Sequence, residues 1–491
     1  MSKRPAERQV FPVVVVHAVT AAGLDDHYRL NHQRVWSPIS MAQHRYERVT
    51  LYPHVGLTQG AARYEAQNPS MVRTGELFSL IYEEIVDDLR NELSYRGVPT
   101  QPVFPFAYDW RQDNFRSAEQ LRQFCDEVIE RTNTLFHDAR KLEDGAPLCD
   151  GVDIVAHSMG GLVTAACIAG NEAWSKKRVR RVVSLGTPYR GANAALLKLA
   201  TGRGPLFGKG RERERRMARV TPSVYQLLPE FAGALEGKPK GDIWKPETYQ
   251  PSIASAIGDF VSETHADESV RRSTRKSRQI GNELFESMLK LAKQFRGVVD
   301  KASPSMLRRD GGWLAIVGAG EKTLIRTGFL TRAQSGTNEV RFRFNEHLDY
   351  SENSGRLEGD MLTGDGTVPL SAAIPPWDSP WKNTVVVTRQ DFAFGEWSDR
   401  IVAKGADFHG ALPLLNVAQR WIINFFRPEW LDPETPRAHR LGQHGNLWGR
   451  LAPVPGAPTL PSAKRQRREA LRDLWLPMGF PTLQLSDCPE D

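Results

Sequence analysis

Apolar residues recur along this chain at two spacings. Short, nearly continuous runs rich in β-branched residues occur at Val13–His17, Val103–Tyr108, Val152–His157, Val179–Leu185, Trp313–Val317 and Thr384–Thr388. Runs of this length, apolar at odd and even positions alike, suit strands covered on both faces. Longer stretches with helical spacing lie between them: Gly75–Leu93, where Leu77, Leu80, Ile81, Ile85 and Leu89 share a side, then Ala118–Arg140, Gly160–Ala169 and Ala411–Phe426. Strand-then-helix alternation predicts an α/β fold, a mostly parallel sheet with helices on both faces.

Two stretches break the alternation. Leu24 to Thr74 reads as a long irregular insertion carrying Trp36, Tyr46 and Tyr52. Residues 201–310 are longer and more charged, with "GRERERRMARV", "RRSTRKSRQ" and a helical pattern over Asn282–Val299. A structureless loop of that length is improbable inside a compact domain, so this segment is expected to be a helical cap between late core strands. The expected division is a first core part over 1–200, with its insertion at 24–74, the cap over 201–310, and a second core part over 311–430. A Pro-, Gly- and Arg-rich tail follows over 431–491, with one short amphipathic candidate at Ala463–Trp475.

Composition narrows the class only a little. With 40% hydrophobic and 25% charged residues over 491 positions, the chain can build a sizeable core. The net charge of +7 is small beside 65 basic and 58 acidic residues, and so favours an anionic surface or substrate only weakly. Cys125, Cys149, Cys167 and Cys488 have no metal-ligand spacing and suit a reducing compartment; no cofactor or metal is expected. The apolar run "FPVVVV" is too short for a signal-peptide core, and no stretch approaches the roughly 20 apolar residues of a membrane span. A cytoplasmic protein is therefore expected, with signal-independent export left open.

The chemistry starts at "DIVAHSMGGLVTAACIAG", where a polar pair sits at the join of an apolar strand and an apolar helix. Strand, tight turn bearing serine, and helix make a nucleophile elbow, whose strained serine needs small residues two before and two after it. Those residues are Ala156 and Gly160. Ser158 then projects at the head of a helix, where free N–H groups favour a developing oxyanion.

A serine hydroxyl needs a base, and the base needs an orienting carboxylate. In this arrangement the acid and then the histidine follow the serine along the chain. "LTGDGTVPLSAA" offers Asp365 between two glycines, with Asp360 as the second choice of acid. Beyond it stand only His409, His439 and His444, of which the last two lie in the tail; His409 introduces a helix after the Thr384–Thr388 strand and is the expected base. The oxyanion donors are expected to be the amides of Met159, next to the serine, and of Val19, in the loop after the first strand. His17 reads as structural.

Five strings then carry a resemblance: "PFAYDWRQD", "AHSMGG", "SLGTPYRGA", "GDGTVPL" and "HGALPLLN", in this order. Together they resemble the lecithin:cholesterol acyltransferase family, which includes lysosomal phospholipases and phospholipid:diacylglycerol acyltransferases. The similarity covers roughly Phe11 to Phe426. It implies an α/β-hydrolase fold, Ser158, Asp365 and His409 as the triad, and Met159 and Val19 as oxyanion donors. Asp109 and Arg111 of "YDWR" are expected to pair at a strand end. The chain departs from the family's extracellular members in having no cysteine in Leu24–Thr74 and His17-Ala18 where those members have Pro-Gly.

The leading functional expectation is a serine acyl hydrolase or O-acyltransferase acting on ester lipids through an acyl-enzyme. A thioesterase or small-ester carboxylesterase with the same triad is the alternative, and a non-catalytic hydrolase fold acting as an interaction protein is the third. The basic runs Arg211–Arg219 and Arg271–Arg278 suit either transient contact with an anionic membrane surface or a solvated helix face. They are interleaved with acids and lack stacking aromatics, so no nucleic acid is expected as partner.

Overall fold

The computed structural model describes residues 10–28, 30–37, 49–52, 61–62, 71–93, 101–140, 148–204, 211–236, 242–265, 267–309, 312–334, 337–344, 364–378, 383–388 and 408–426. Its centre is a six-stranded sheet. The strands are β1 (Val13–Val16), β5 (Val103–Phe106), β6 (Val152–His157), β7 (Val179–Leu185), β8 (Gly312–Ala319) and β11 (Thr384–Thr388). Their spatial order is β11-β8-β7-β6-β1-β5, and all five pairings are parallel. The expected strands are all present, with ends moved by one or two residues.

Neighbouring residues of a strand point to opposite faces, and here both faces are covered. Val14, Val16, Ile154 and Ala156 join one apolar core. Val13, Val15, Val155 and Val183 join the other. The first core is shared with α2 (Asn114–Arg140) and α3 (Met159–Gly170), the second with α1 (Ser79–Glu92) and α10 (Asn416–Phe426). From β1 the chain moves outward to β5 and returns to β6 on the other side of β1. The strand order therefore reverses beside β1, which is where open α/β sheets form a crevice at their carboxyl ends.

Two expectations need correction. The stretch Leu24 to Thr74 is not wholly irregular. β2 (Ala22–Asp26), β3 (Gln33–Trp36) and β4 (Val72–Leu77) form an antiparallel sheet in the order β3-β2-β4. Consequently Gly75–Leu77 is strand, not the first turn of a helix: backbone pairing with β2 wins over the helical phase of Leu77. The stretch Ala411–Phe426 is likewise broken. Pro413 lacks an N–H and cannot continue a helix, so Phe408–Ala411, the 3-10 turn Leu412–Leu414 and α10 follow as separate pieces.

After α3 comes α4 (Glu172–Arg178), and between β7 and β8 lie α5 (Asn193–Thr201), α6 (Arg211–Ala218), α7 (Pro222–Gln226), α8 (Pro251–Thr264) and α9 (Thr274–Val299). A Cβ on Gly281 of α9 would stand 2.5 Å from the Gly258 nitrogen of α8, so the two helices touch backbone to backbone. Ile257, Phe260, Leu284, Phe285 and Phe295 belong to the same core as Val14 and Ile154. This segment is thus packed into one face of the molecule. Beyond it, β9 (Thr327–Gln334) and β10 (Thr337–Phe344) pair as an antiparallel hairpin. The tail over 431–491, with Ala463–Trp475, His439, His444 and Cys488, lies outside the described residues, as does Asp360. Among the described residues no helix is long and apolar enough to cross a membrane.

Candidate active site

Ser158 sits between β6 and α3 with φ 54° and ψ −125°. A non-glycine residue held there costs about 1–3 kcal/mol and persists only when its surroundings over-determine it. Here they do. The Ser158 N–H donates to the Leu185 carbonyl at 2.8 Å, and the Gly161 N–H donates to the Ser158 carbonyl at 2.9 Å. A Cβ on Gly160 would come within 2.6 Å of the His17 carbonyl oxygen, so the start of α3 rests directly on the end of β1. That contact is the physical reason for a glycine two residues after the serine. Met159 opens α3 and is fully buried; its N–H lies in the first turn, where no intrahelical acceptor exists.

Asp365 occupies a turn between Gly364 (φ 143°) and Gly366 (φ 95°), conformations that favour glycine. The Glu321 N–H donates to the Gly364 carbonyl at 2.9 Å, which ties this turn to the end of β8. The carboxylate is fully buried and well satisfied. Its Oδ1 accepts the N–H groups of Thr367 (3.0 Å) and Val368 (2.7 Å), and its Oδ2 meets His409 Nδ1 at 2.7 Å. The other ring nitrogen, His409 Nε2, lies 2.8 Å from Ser158 Oγ. A carboxylate can only accept, so Nδ1 carries the proton and Nε2 presents its lone pair to the serine hydroxyl. The structure thus brings Ser158, His409 and Asp365 together from positions 251 and 44 residues apart.

Two glycines that the sequence reading did not single out make room for this cluster. A Cβ on Gly186 (φ +54°) would stand 3.2 Å from both Asp365 Oδ2 and His409 Cε1, and 2.6 Å from a methyl of Leu412. A Cβ on Gly318 would stand 2.6 Å from the Asp365 Cβ. Their signal was present in "SLGTP" and "IVGAG", but a glycine at a strand end has many causes.

The loop after β1 runs alongside. Ala21 N–H closes a turn onto the Ala18 carbonyl at 3.3 Å, and Thr20 takes φ 63°, rare for a β-branched residue. Its carbonyl accepts the Trp36 indole N–H at 3.2 Å. Val19 lies within this turn and is 8% exposed. His17 is fully buried and stacked on Tyr108, with ring centroids 4.1 Å apart. It accepts the Tyr108 N–H at Nε2 and donates from Nδ1 to the Ala18 carbonyl. Burial pushes its pKa down to about 4 despite these bonds, so the ring is neutral.

Asp109 and Arg111 of "YDWR" do pair, at 2.7 Å, and the Arg111 guanidinium also donates to the Val49 carbonyl. Burial alone would raise the Asp109 carboxyl, but the Arg111 charge and its hydrogen bonds outweigh burial and hold it below the usual carboxylate range. The run Arg211–Arg219 is partly internal. Glu214 is buried against Lys198, Arg216 pairs with Glu263, and Arg219 is buried with its Nε on the Leu199 carbonyl. Arg275, Lys276 and Arg278, at the head of α9, are exposed.

Comparison with known proteins fits this architecture. The family model for lecithin:cholesterol acyltransferase matches residues 40–289, which include Ser158 but end before Asp365 and His409. The chain is 21% identical over 275 residues to lecithin-cholesterol acyltransferase-like 4 of Arabidopsis thaliana, covering 50% of this chain and 48% of that protein. It is 32% identical over 171 residues to the human lysosomal phospholipase A and acyltransferase, covering 34% of this chain and 36% of that protein. The chain thus spans less than half the length of these curated relatives. Among solved structures, the Tle4–Tli4 complex contains a chain that matches with a TM-score of 0.52 and 14% identity, over 85% of this chain and 98% of that one, a likeness of fold alone. The sheet order and flanking helices are those of an α/β-hydrolase, and the chain belongs to the lecithin:cholesterol acyltransferase family.

Proposed function

We propose that this protein is a serine acyl hydrolase or O-acyltransferase of ester lipids, with Ser158 as nucleophile, His409 as general base and Asp365 as orienting acid. The observation that carries the reading is the unbroken line of hydrogen bonds, 2.8 Å from Ser158 Oγ to His409 Nε2 and 2.7 Å from His409 Nδ1 to Asp365 Oδ2. Oγ attacks the ester carbonyl while its proton passes to Nε2, and the Asp365 carboxylate stabilises the imidazolium that forms. The tetrahedral oxyanion takes hydrogen bonds from the N–H groups of Met159 and Val19. Nε2 then returns its proton to the departing alcohol, leaving an acyl-Ser158. Water or a second alcohol, deprotonated by the same nitrogen, releases the acyl group. Hydrolysis and transfer differ only in that second acceptor.

Residues 201–310 act in this reading as a cap on the core formed by 1–200 and 311–430. The exposed cations Arg275, Lys276 and Arg278 support contact with an anionic lipid surface. Three buried free thiols, Cys125, Cys149 and Cys167, support residence in a reducing compartment such as the cytoplasm. Lipid mass spectrometry tests the activity. Mixed-lipid vesicles with and without anionic lipid are incubated with wild type and Ser158→Ala. Wild type depletes an ester lipid and accumulates fatty acid or a new acyl ester, faster on anionic vesicles and more slowly at high salt. Identical lipid profiles for the two proteins would remove the proposal, and insensitivity to salt and lipid charge would remove its membrane part.

A further inference from the structure

Beside the site lies a second, wholly buried hydrogen-bond chain with no part in the proton transfer just described. The Ala18 N–H donates to Tyr82 Oη at 2.8 Å. Tyr82 Oη is 2.9 Å from His157 Nδ1. His157 Nε2 is 3.0 Å from the His409 carbonyl. Directions follow from the inventory of donors. A carbonyl can only accept, so Nε2 carries the His157 proton. Burial holds the ring neutral, so Nδ1 is bare and accepts the Tyr82 O–H. The chain therefore reads Ala18 N–H to Tyr82, Tyr82 O–H to His157, His157 N–H to His409, every member satisfied and each bond polarising the next.

Resting on the acyl-transfer reading, we infer that Tyr82 and His157 are positioning residues that lock the oxyanion loop and the general base into one register around Ser158. His157 and Ser158 are consecutive, and they grip His409 from two sides. The His157 ring holds its carbonyl while the Ser158 hydroxyl meets its Nε2, which closes a ring of bonds around nucleophile and base. The other arm fixes the peptide of Ala18, one residue before the Val19 amide. Ala18 also receives His17 Nδ1–H on its carbonyl at 2.6 Å, so its N–H and C=O are both fixed. Tyr82 reaches the site from α1, on the opposite face of the sheet from α3, and so couples the packing of that layer to the geometry of the reaction.

The test uses side chains that imitate one ring nitrogen at a time. In His157→Gln the amide can reach the position of Nε2 and keep the bond to the His409 carbonyl. In His157→Asn it reaches only the position of Nδ1, on the Tyr82 side. Steady-state kinetics with 4-nitrophenyl butyrate and decanoate, normalised to sites titrated by a fluorophosphonate, are measured for both variants and for Tyr82→Phe. A misplacement of about 1 Å costs about 100-fold, so kcat falls about 100-fold in His157→Asn and clearly less in His157→Gln, with KM little changed. Tyr82→Phe loses about 10-fold or more in kcat at unchanged KM, since a displaced oxyanion donor acts on the transition state. Equal kcat in the Asn and Gln variants, or wild-type kcat in Tyr82→Phe, overturns the inference while leaving acyl transfer standing. A wild type that neither turns over esters nor labels at Ser158 overturns the acyl-transfer reading itself. Thermal midpoints separate misfolding from misplacement: should either His157 variant fail to fold, Tyr82→Phe alone decides.

Discussion

At the scale of single residues, this site combines backbone strain with histidines held neutral by burial. Ser158 and Thr20 hold positive φ without being glycine, one at the elbow and one in the loop facing it. Next to them, two histidines are kept neutral by burial: His17 with a pKa down to about 4, and His157 well below the ordinary value of 6.5. Their lowered pKa values make stability depend on pH. Below about pH 6.5 the unfolded chain binds protons that the folded protein does not, so stability is full above that point and falls with acidification. His17 alone contributes about 2 kcal/mol of loss between pH 6.5 and about pH 5. Urea midpoints measured at pH 7 and pH 5 should therefore drop on acidification, and drop less in His17→Gln. A midpoint that rises, or an unaltered pH dependence in the variant, would contradict this assignment.

At the scale of elements, α5 and α6 are joined by a buried ion pair. Lys198 and Glu214 are fully buried and meet at 2.6 Å, with the ammonium also donating to the carbonyls of Gly202 and Gly204 at 3.2 Å. Burial pulls the Lys198 pKa down and Glu214 opposes it. Removing one partner strands a buried charge, so Lys198→Met should cost about 3–5 kcal/mol, whereas adding Glu214→Leu should restore most of that loss. A double-mutant cycle of unfolding free energies checks it; simple additivity of the two single losses would mean the pair is not coupled. This joint also shows what a sequence hides. "GRERERRMARV" reads as a solvated basic run, yet Glu214, Met217, Ala218 and Arg219 all point inward. Burial of a charge depends on a partner distant along the chain, which a local pattern does not carry. The central strands were legible for the opposite reason: covered on both faces, they carry short apolar runs at odd and even positions alike, such as Val13–Val16 or Val385, Val386 and Val387. The small sheet of β2, β3 and β4 was not, because its short polar strands such as "VRTGEL" have no apolar run to read.

At the scale of the whole molecule, the sheet gathers segments that the chain keeps far apart. The order serine, acid, histidine together with the elbow singled out Ser158, Asp365 and His409, and these three side chains do meet. Tyr82 was not legible as part of the site, since on α1 it is one more member of an apolar stripe 75 residues before His157. Gly186 and Gly318 were equally hidden, because what crowds them lies far along the chain: Leu412, Asp365 and His409 at Gly186, and Asp365 with Phe408 at Gly318. The most direct measurement of the central claim is intact-mass and peptide mass spectrometry after a fluorophosphonate probe. The account predicts one adduct on Ser158, absent in Ser158→Ala and formed far more slowly in His409→Ala and Asp365→Asn. No adduct on wild type, or labelling at the same rate without His409, would contradict it.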